Sequence, residues 1–276
     1  MTTYIAESLS SDSLSVLQIR DLHILADPEG TLLGIKTAYY FEAILSLAFA
    51  EYECIDIILL TGDLAQDASA ESYRYILRKI EKYGVPCICL PGNHDDVSVM
   101  QAALNSECIN CNKQILMKDW QIISLNSQII GSEKGYLEGT ELDFLSNCLV
   151  RYPDKSTLIA VHHHCLPTDS HWMDTMMIDN SERFLSILKR YPQVKVVIHG
   201  HIHQILTEQL NTLQILGAPS TCFQFTPKKY NFGLDRTAPG YRDIFLYADG
   251  RVESAVKRLL QELHELDLTE SGYSDD

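Results

Sequence analysis

Five short polar stretches carry the residues that could do chemistry: Asp21-Leu22-His23, Gly62-Asp63, Gly92-Asn93-His94-Asp95, His162-His163-His164 and Gly200-His201-Ile202-His203. Carboxylate, amide oxygen and imidazole form a hard-to-borderline ligand set that suits iron(II), manganese(II) or zinc(II) better than copper(I) or calcium(II). Two cations about 3.5–4 Å apart need one bridging carboxylate, with the other positions filled by separate residues. Asp63, preceded by Gly62 so that the chain can turn sharply, fits the bridge. Across His201-Ile202-His203 an extended chain sends both imidazoles to one side and Ile202 to the other, so one histidine can serve each cation. The chemistry implied is attack on a phosphoester at a two-cation centre.

The elements that position these residues are strands. Val16–Ile19, Ile55–Leu60 and Val85–Pro91 read as buried strands that end at Asp21, Asp63 and Asn93, and helices over Ala38–Ala50 and Ala70–Tyr83 lie between them. Strand–helix–strand alternation implies parallel strands with helices on the faces and ligands beyond the strand ends. Further on, Gln114–Met117 and Gln121–Leu125 read as strands and Thr140–Val150 as a helix. Strand Leu158–Val161 delivers the histidine run. Helix Ser181–Lys189 precedes strand Val194–Ile198, which delivers Gly200–His203. Leu206–Leu210 with Leu213–Leu216, and Tyr241–Tyr247 with Val252–Lys257, read as hairpins. The expected fold class is α/β: a four-layer αββα sandwich of two mixed sheets, with the metal site at the C-terminal ends of strands. One domain is expected over 1–276, with its core at about 14–262 and with 1–13 and 265–276 flexible.

Composition narrows the partners. With 46% hydrophobic and 21% charged residues, the 276-residue chain can bury a sizeable core. A formal net charge of −15 argues against a nucleic-acid or anionic-membrane surface, yet leaves room for a small anion at a metal site. Met1–Ser15 holds no Lys or Arg and no apolar core of signal-peptide length, and no run is long enough to span a bilayer. The reading is therefore cytoplasmic. The eight cysteines fit reduced, buried thiols better than the lone Cys108/Cys111 spacing fits a zinc site.

The ordered set Asp-x-His, Gly-Asp, Gly-Asn-His-Asp, His and Gly-His-x-His resembles the calcineurin-like metallophosphoesterase superfamily. Gly62–Asp67, Leu90–Asp95, His162–His164 with Leu166-Pro167, Gly200–Gln204 and Pro219–Cys222 with Gln224-Phe225 bring it close to the bacterial class III 3′,5′-cyclic AMP phosphodiesterases. The resemblance implies two divalent metals, iron(II) or manganese(II). Asp21, His23, Asp63 and His203 would bind the first, and Asp63, Asn93, His162 and His201 the second. A hydroxide between them would attack phosphorus, turning cyclic AMP into 5′-AMP and lowering intracellular cyclic AMP. His94 is then the acid for the leaving oxygen, with Asp67 or Asp95 to orient it, and Asp67 slightly favoured. His23, Asp63, Asn93, His94, His163 and His203 would touch substrate. Two departures stand out: Arg20 precedes Asp21 where many relatives carry Ser or Thr, and Cys165 stands where proline is frequent.

Other residues carry weaker signals. His163 and His164 fit phosphate contact or packing equally, His199 reads as a strand residue, and Trp172, Phe223, Phe225 and Tyr230 offer a stacking surface for a base. Another small phosphodiester, such as a 2′,3′-cyclic nucleotide or a glycerophosphodiester, is the first alternative substrate, and a non-catalytic scaffold is the second reading. The partner expected is a small nucleotide, and the chain is expected as a monomer or homodimer, with Pro219–Pro239 as a candidate interface or lid.

Overall fold

The computed structural model describes residues 3–5, 13–52, 54–270 and 272. Two mixed sheets stack face to face. The first has six strands in the order Val252–Arg258, Gly240–Tyr247, Ser13–Ile19, Ile57–Thr61, Cys87–Leu90, Ile109–Asn110. Its last four strands run parallel to one another, and Gly240–Tyr247 is antiparallel to both of its neighbours. The second has seven strands in the order Thr3–Ile5, Gln114–Leu116, Trp120–Ser124, Ser156–Val161, Val194–His199, Leu213–Gly217, Leu206–Leu210.

Residue alternation explains the stacking. Val16, Ile57, Leu59, Ile88 and Leu90 face inward onto Ile122, Leu158, Ala160, Val196 and Ile198 of the second sheet. Leu17, Ile19, Ile58, Leu60, Cys87 and Cys89 point the other way, against helices α1 (Thr37–Glu51), α2 (Ala70–Ile80) and α3 (Val97–Ala103). On the far side Ile123, Ile159, Val161 and Val197 pack under α4 (Gly139–Arg151) and α6 (Ser181–Leu188), while α5 (His171–Asp174) is a single turn near the strand ends. Strands buried on both faces must be apolar at every position, which is why they read as continuous runs rather than alternating ones. The four-layer αββα arrangement follows.

Differences from the expected elements have local causes. The helix expected over Ala70–Tyr83 stops at Ile80 and tightens into a 3₁₀ turn, Glu81–Tyr83, closed by Gly84 at φ 64°. Helix α3 was not expected, being too short for a periodic signal; Asp96 caps it by accepting from Ser98 N and Val99 N. At the N-terminus, Thr3–Ile5 pairs with Gln114–Leu116 instead of lying loose. Toward the C-terminus, Leu266 is buried and Asp267 N donates to the Leu33 carbonyl, so the packed chain runs past residue 262. Of the stretches expected to be flexible, residues 1–2, 6–12, 271 and 273–276 lie outside the described residues. Among the described residues no helix is long and apolar enough to cross a membrane.

Candidate metal centre

All five polar stretches meet at one end of the sandwich, where strands of both sheets stop. Asp21 follows Ser13–Ile19, Asp63 follows Ile57–Thr61, Asn93 follows Cys87–Leu90, His162 follows Ser156–Val161, and His201 and His203 follow Val194–His199. The backbone there is held where L-residues seldom sit: φ is 49° at Asp21, 47° at His23, 50° at Asp63, 67° at His201 and 45° at His203. Strain of this kind persists only where surrounding structure imposes it, and it clusters at functional sites. The extended alternation expected across His201–His203 is therefore absent. Both imidazoles reach the centre from left-handed turns, with Ile202 buried in the apolar cluster of Phe223 and Phe225. Two glycines make room. A Cβ on Gly62 would lie 2.2 Å from His162 Nδ1, and one on Gly92 would lie 2.1 Å from Asp63 Oδ1.

Hydrogen bonds aim the imidazoles. A carbonyl only accepts, so His162 Nδ1 donates to Thr61 O (3.0 Å) and His203 Nδ1 donates to Phe223 O (2.8 Å). His23 Nδ1 meets Gln66 Oε1 at 2.7 Å. The Nε2 atoms are thereby turned inward, the usual preparation of a metal-binding histidine. Those of His23 and His203 face each other at 3.3 Å. Burial pushes the His23 pKa down to about 3 and that of His203 well down too, so both rings are neutral and two lone pairs confront one another. A cation held between them would turn that repulsion into attraction.

The second group closes the other side. His162 Nε2 lies 3.2 Å from Asn93 Oδ1 and 3.2 Å from Asp63 Oδ2. Among the described residues, Asp63 Oδ2 and both ring nitrogens of His201 are buried without a hydrogen-bond partner, and Asp21 Oδ2 meets only the Arg20 guanidinium. Orphaned polar atoms of this sort are costly unless an ion satisfies them. Ligand-capable atoms lie within 4.8 Å of one another in the sets Asp21, Asp63, His162 and His23, Asp63, His94, so Asp63 is common to both. The donor set fits a pair of divalent cations.

Other expected residues fall into place differently. His94 is half-exposed, edge-on to His23 with ring centroids 5.1 Å apart, and its backbone N–H donates to Asp63 Oδ1. The two aspartates expected to orient it each accept from other groups. Asp67 accepts from Ala26 N, Ser69 N and Ser72 Oγ at the start of α2. Asp95 accepts from Leu64 N, Ala65 N, Gly92 N and the Tyr73 hydroxyl. Neither role was legible locally, because each depends on amides brought in by the fold. His163 is fully buried, with Nδ1 2.7 Å from Ser127 Oγ and its ring against His162 and His201. His164 is equally buried, stacked on His201 and 3.8 Å from Asp174. His199 ends its strand, as expected.

A cavity of about 310 Å³ opens beside the centre, lined by Asn93, His94 and His201 and by Trp172, Phe225 and Phe232. Of the four aromatics expected to form a stacking surface, two do not line it. Phe223 stacks behind His23, and Tyr230 stacks on His171 while remaining exposed. Phe232 was missed, and no local signal marks it; the chain simply returns there.

Comparison with known proteins agrees with this geometry. Residues 14–205 match the family described as Calcineurin-like phosphoesterase. The 3′,5′-cyclic adenosine monophosphate phosphodiesterase CpdA of Vibrio vulnificus is 38% identical over 269 residues, which is 97% of this chain and 98% of that protein. The CpdA of Escherichia coli K12 is 38% identical over 94% of each chain. A 3′,5′-cyclic-nucleotide phosphodiesterase of Nostoc is 37% identical over 89% of this chain and 92% of its own. Among solved structures, a dimetal phosphatase from Danio rerio shares the fold at a TM-score of 0.58 and 14% identity, covering 90% of this chain and 99% of that one. GAP50, the anchor in the inner membrane complex of Plasmodium, shares it at 0.53 and 12% identity, covering 94% and 91%. Fold alone thus does not decide activity. With the family match spanning most of the chain and near-full-length relatives at this identity, the chain belongs to the calcineurin-like phosphoesterases, metal-dependent hydrolases built around a binuclear centre.

Proposed function

We propose that this chain hydrolyses 3′,5′-cyclic AMP to 5′-AMP, lowering cyclic AMP inside the cell. The observation that carries the reading is the convergence of Asp21, His23, Asp63, Asn93, His162, His201 and His203 on one cleft, in a chain 37–38% identical to cyclic-nucleotide phosphodiesterases along nearly its whole length. Asp21, His23, Asp63 and His203 would hold one divalent ion, and Asp63, Asn93, His162 and His201 the other; iron(II) and manganese(II) suit this set best. Bound there, the two cations supply positive charge for the phosphodiester and lower the pKa of water enough to make it a nucleophile near neutral pH.

The chain's own groups do the rest. Asn93 and His94 face the cavity and bracket an anionic phosphodiester from the open side. With Asn93 taking the place on the second cation, His94 is read as the acid and not as a ligand. It is placed to give a proton to the departing 3′ oxygen, so that the P–O3′ bond breaks without releasing a bare alkoxide. Its backbone tie to Asp63 fixes where it stands relative to the bridge. His163, fully buried, packs against the rings of His162 and His201 and supports them. Trp172, Phe225 and Phe232 form an apolar wall against which a purine can pack. A cytoplasmic monomer or homodimer acting on a small nucleotide, with no nucleic-acid or membrane surface, accords with the net charge of −15.

The test is a comparison of turnover on 3′,5′-cyclic AMP, 3′,5′-cyclic GMP, 2′,3′-cyclic AMP, glycerophosphodiester and bis-p-nitrophenyl phosphate, with protein purified anaerobically and its metals measured. Preference for 3′,5′-cyclic AMP supports the reading. Activity on the generic ester alone, or on 2′,3′-cyclic AMP above the 3′,5′ isomer, removes it. Two bound metals with no activity on any ester would point to a scaffold.

A further inference from the structure

Arg20 is the buried group beside the centre that hydrolysis does not itself require. It stands between strand Ser13–Ile19 and Asp21, and its side chain has no exposed surface. Taking a guanidinium out of water is costly unless acceptors meet it. Here Nη1 is paired with Asp21 Oδ2 and Nη2 donates to the Ala218 carbonyl, while Nε has no partner. The Arg20 carbonyl also accepts from Thr221 N at 3.2 Å, which anchors the residue to the turn after strand Leu213–Gly217. A guanidinium set against a carboxylate keeps its charge.

The same oxygen, Asp21 Oδ2, lies 3.7 Å from His203 Nε2, which in turn faces His23. A guanidinium therefore sits against the carboxylate that would hold the first cation. We propose that Arg20 is a positioning residue that acts as a resident cation for Asp21. It holds the carboxylate in place while the first metal position is empty, and it shares that carboxylate with the metal once the position is filled. This inference rests on the two-cation reading above.

Two consequences follow. A positive charge against a metal ligand weakens divalent binding at that position. It also leaves the loaded centre more positive toward an anionic substrate. A unit charge at this range shifts neighbouring ionic equilibria by about tenfold or more. Neutral Ser or Thr at this place would give the opposite balance: tighter metal, weaker anion.

The experiment uses the full chain stripped by chelator and titrated with Mn(II) by equilibrium dialysis, comparing wild type with Arg20→Met and Arg20→Lys. Inorganic phosphate binding to the Mn-loaded proteins is measured alongside. Arg20→Met is expected to bind the weaker of its two Mn(II) ions about tenfold more tightly and phosphate about tenfold more weakly, and to gain more in melting temperature on loading than wild type. Arg20→Lys, which keeps the charge, should restore both affinities toward wild type. Met and Lys variants that lose thermal stability alike, with neither affinity moved in these directions, would reduce Arg20 to a packing element and overturn the proposal. If Arg20→Met does not fold, Arg20→Lys decides alone. Wild-type affinities support the proposal, and a tenfold loss of Mn(II) binding overturns it. Wild type that binds no Mn(II) would sink the two-cation reading itself, whereas two ions in wild type and an indifferent Met variant would sink this inference only.

Discussion

Asp63 and Asp95 are both buried carboxylates that bear on the same two loops, yet they are treated in opposite ways. Asp95 is saturated. Its oxygens take the amides of Leu64, Ala65 and Gly92 at 2.9–3.2 Å and the Tyr73 hydroxyl at 2.9 Å. Asp63 accepts one amide, from His94, and its Oδ2 is left bare beside His162. Burial works to raise the Asp63 pKa, but the imidazoles of His162 and His94 outweigh it and hold this carboxyl well below the usual carboxylate range. Burial and then the charge of Asp63 push Asp95 the other way, against the amides that bind it. The lesson is that a buried carboxylate with every lone pair used is a strut, and one with a lone pair unused is waiting for a cation. Asp95 locks the Asp63 loop to the Asn93 loop; Asp63 offers its spare oxygen to what those loops enclose.

That contrast can be broken most sharply at Asp63. Asp63→Ala should lose bound metal and all measurable turnover together, read by elemental analysis and by cyclic AMP hydrolysis. An active, metal-free variant would mean Asp63 is no bridge. Next in size, His94→Ala should cost about 10²–10⁴-fold in turnover while both metals stay bound. Metal loss in that variant would make His94 a ligand instead of an acid.

On the strut side, Asp95→Ala leaves three buried amides without an acceptor and should lower unfolding free energy by about 3–5 kcal/mol in urea titration, with metal stoichiometry kept in the folded fraction. A variant of unchanged stability that sheds metal would reverse the roles of the two aspartates. The smallest effect is expected far from the cleft, at Asp243, a buried carboxyl whose Oδ2 accepts from the Tyr52 hydroxyl at 2.6 Å. Burial raises its pKa to about 6, so between about pH 4 and 6 the native state binds more protons than the unfolded one. Stability from this group is present below about pH 4 and is lost as pH rises through 6. Asp243→Asn should therefore raise the melting temperature by a few degrees at pH 7.5 and change it little at pH 4.5. An equal gain at both values would show that ionisation of Asp243 is not what costs stability.

How much of this was legible beforehand differs by residue. The strand ends that carry Asp21, Asp63, Asn93, His162 and His201 could be read directly, because a strand buried on both faces writes an unbroken apolar run and the polar residue after it marks where the run stops. The αββα layering came from the same pattern. Helix α3 could not be read, since seven residues hold too little periodicity and only the Asp96 cap betrays its start. The roles of Asp67 and Asp95 were equally hidden. Both look like acids near a candidate acid histidine, and only folded amides show what they accept from.

What this chain's sequence determined by itself was the inventory of candidate ligands, their order and their position at strand ends, because those follow from local composition and spacing. What only the tertiary structure decided was which of the polar groups are satisfied. The carbonyl of Ala218 lies 198 residues from Arg20, Phe223 O lies 20 from His203, and Thr61 O lies 101 from His162. Hydrogen-bond satisfaction is a property of neighbours in space, and no stretch of chain contains its own neighbours across a sandwich of two sheets.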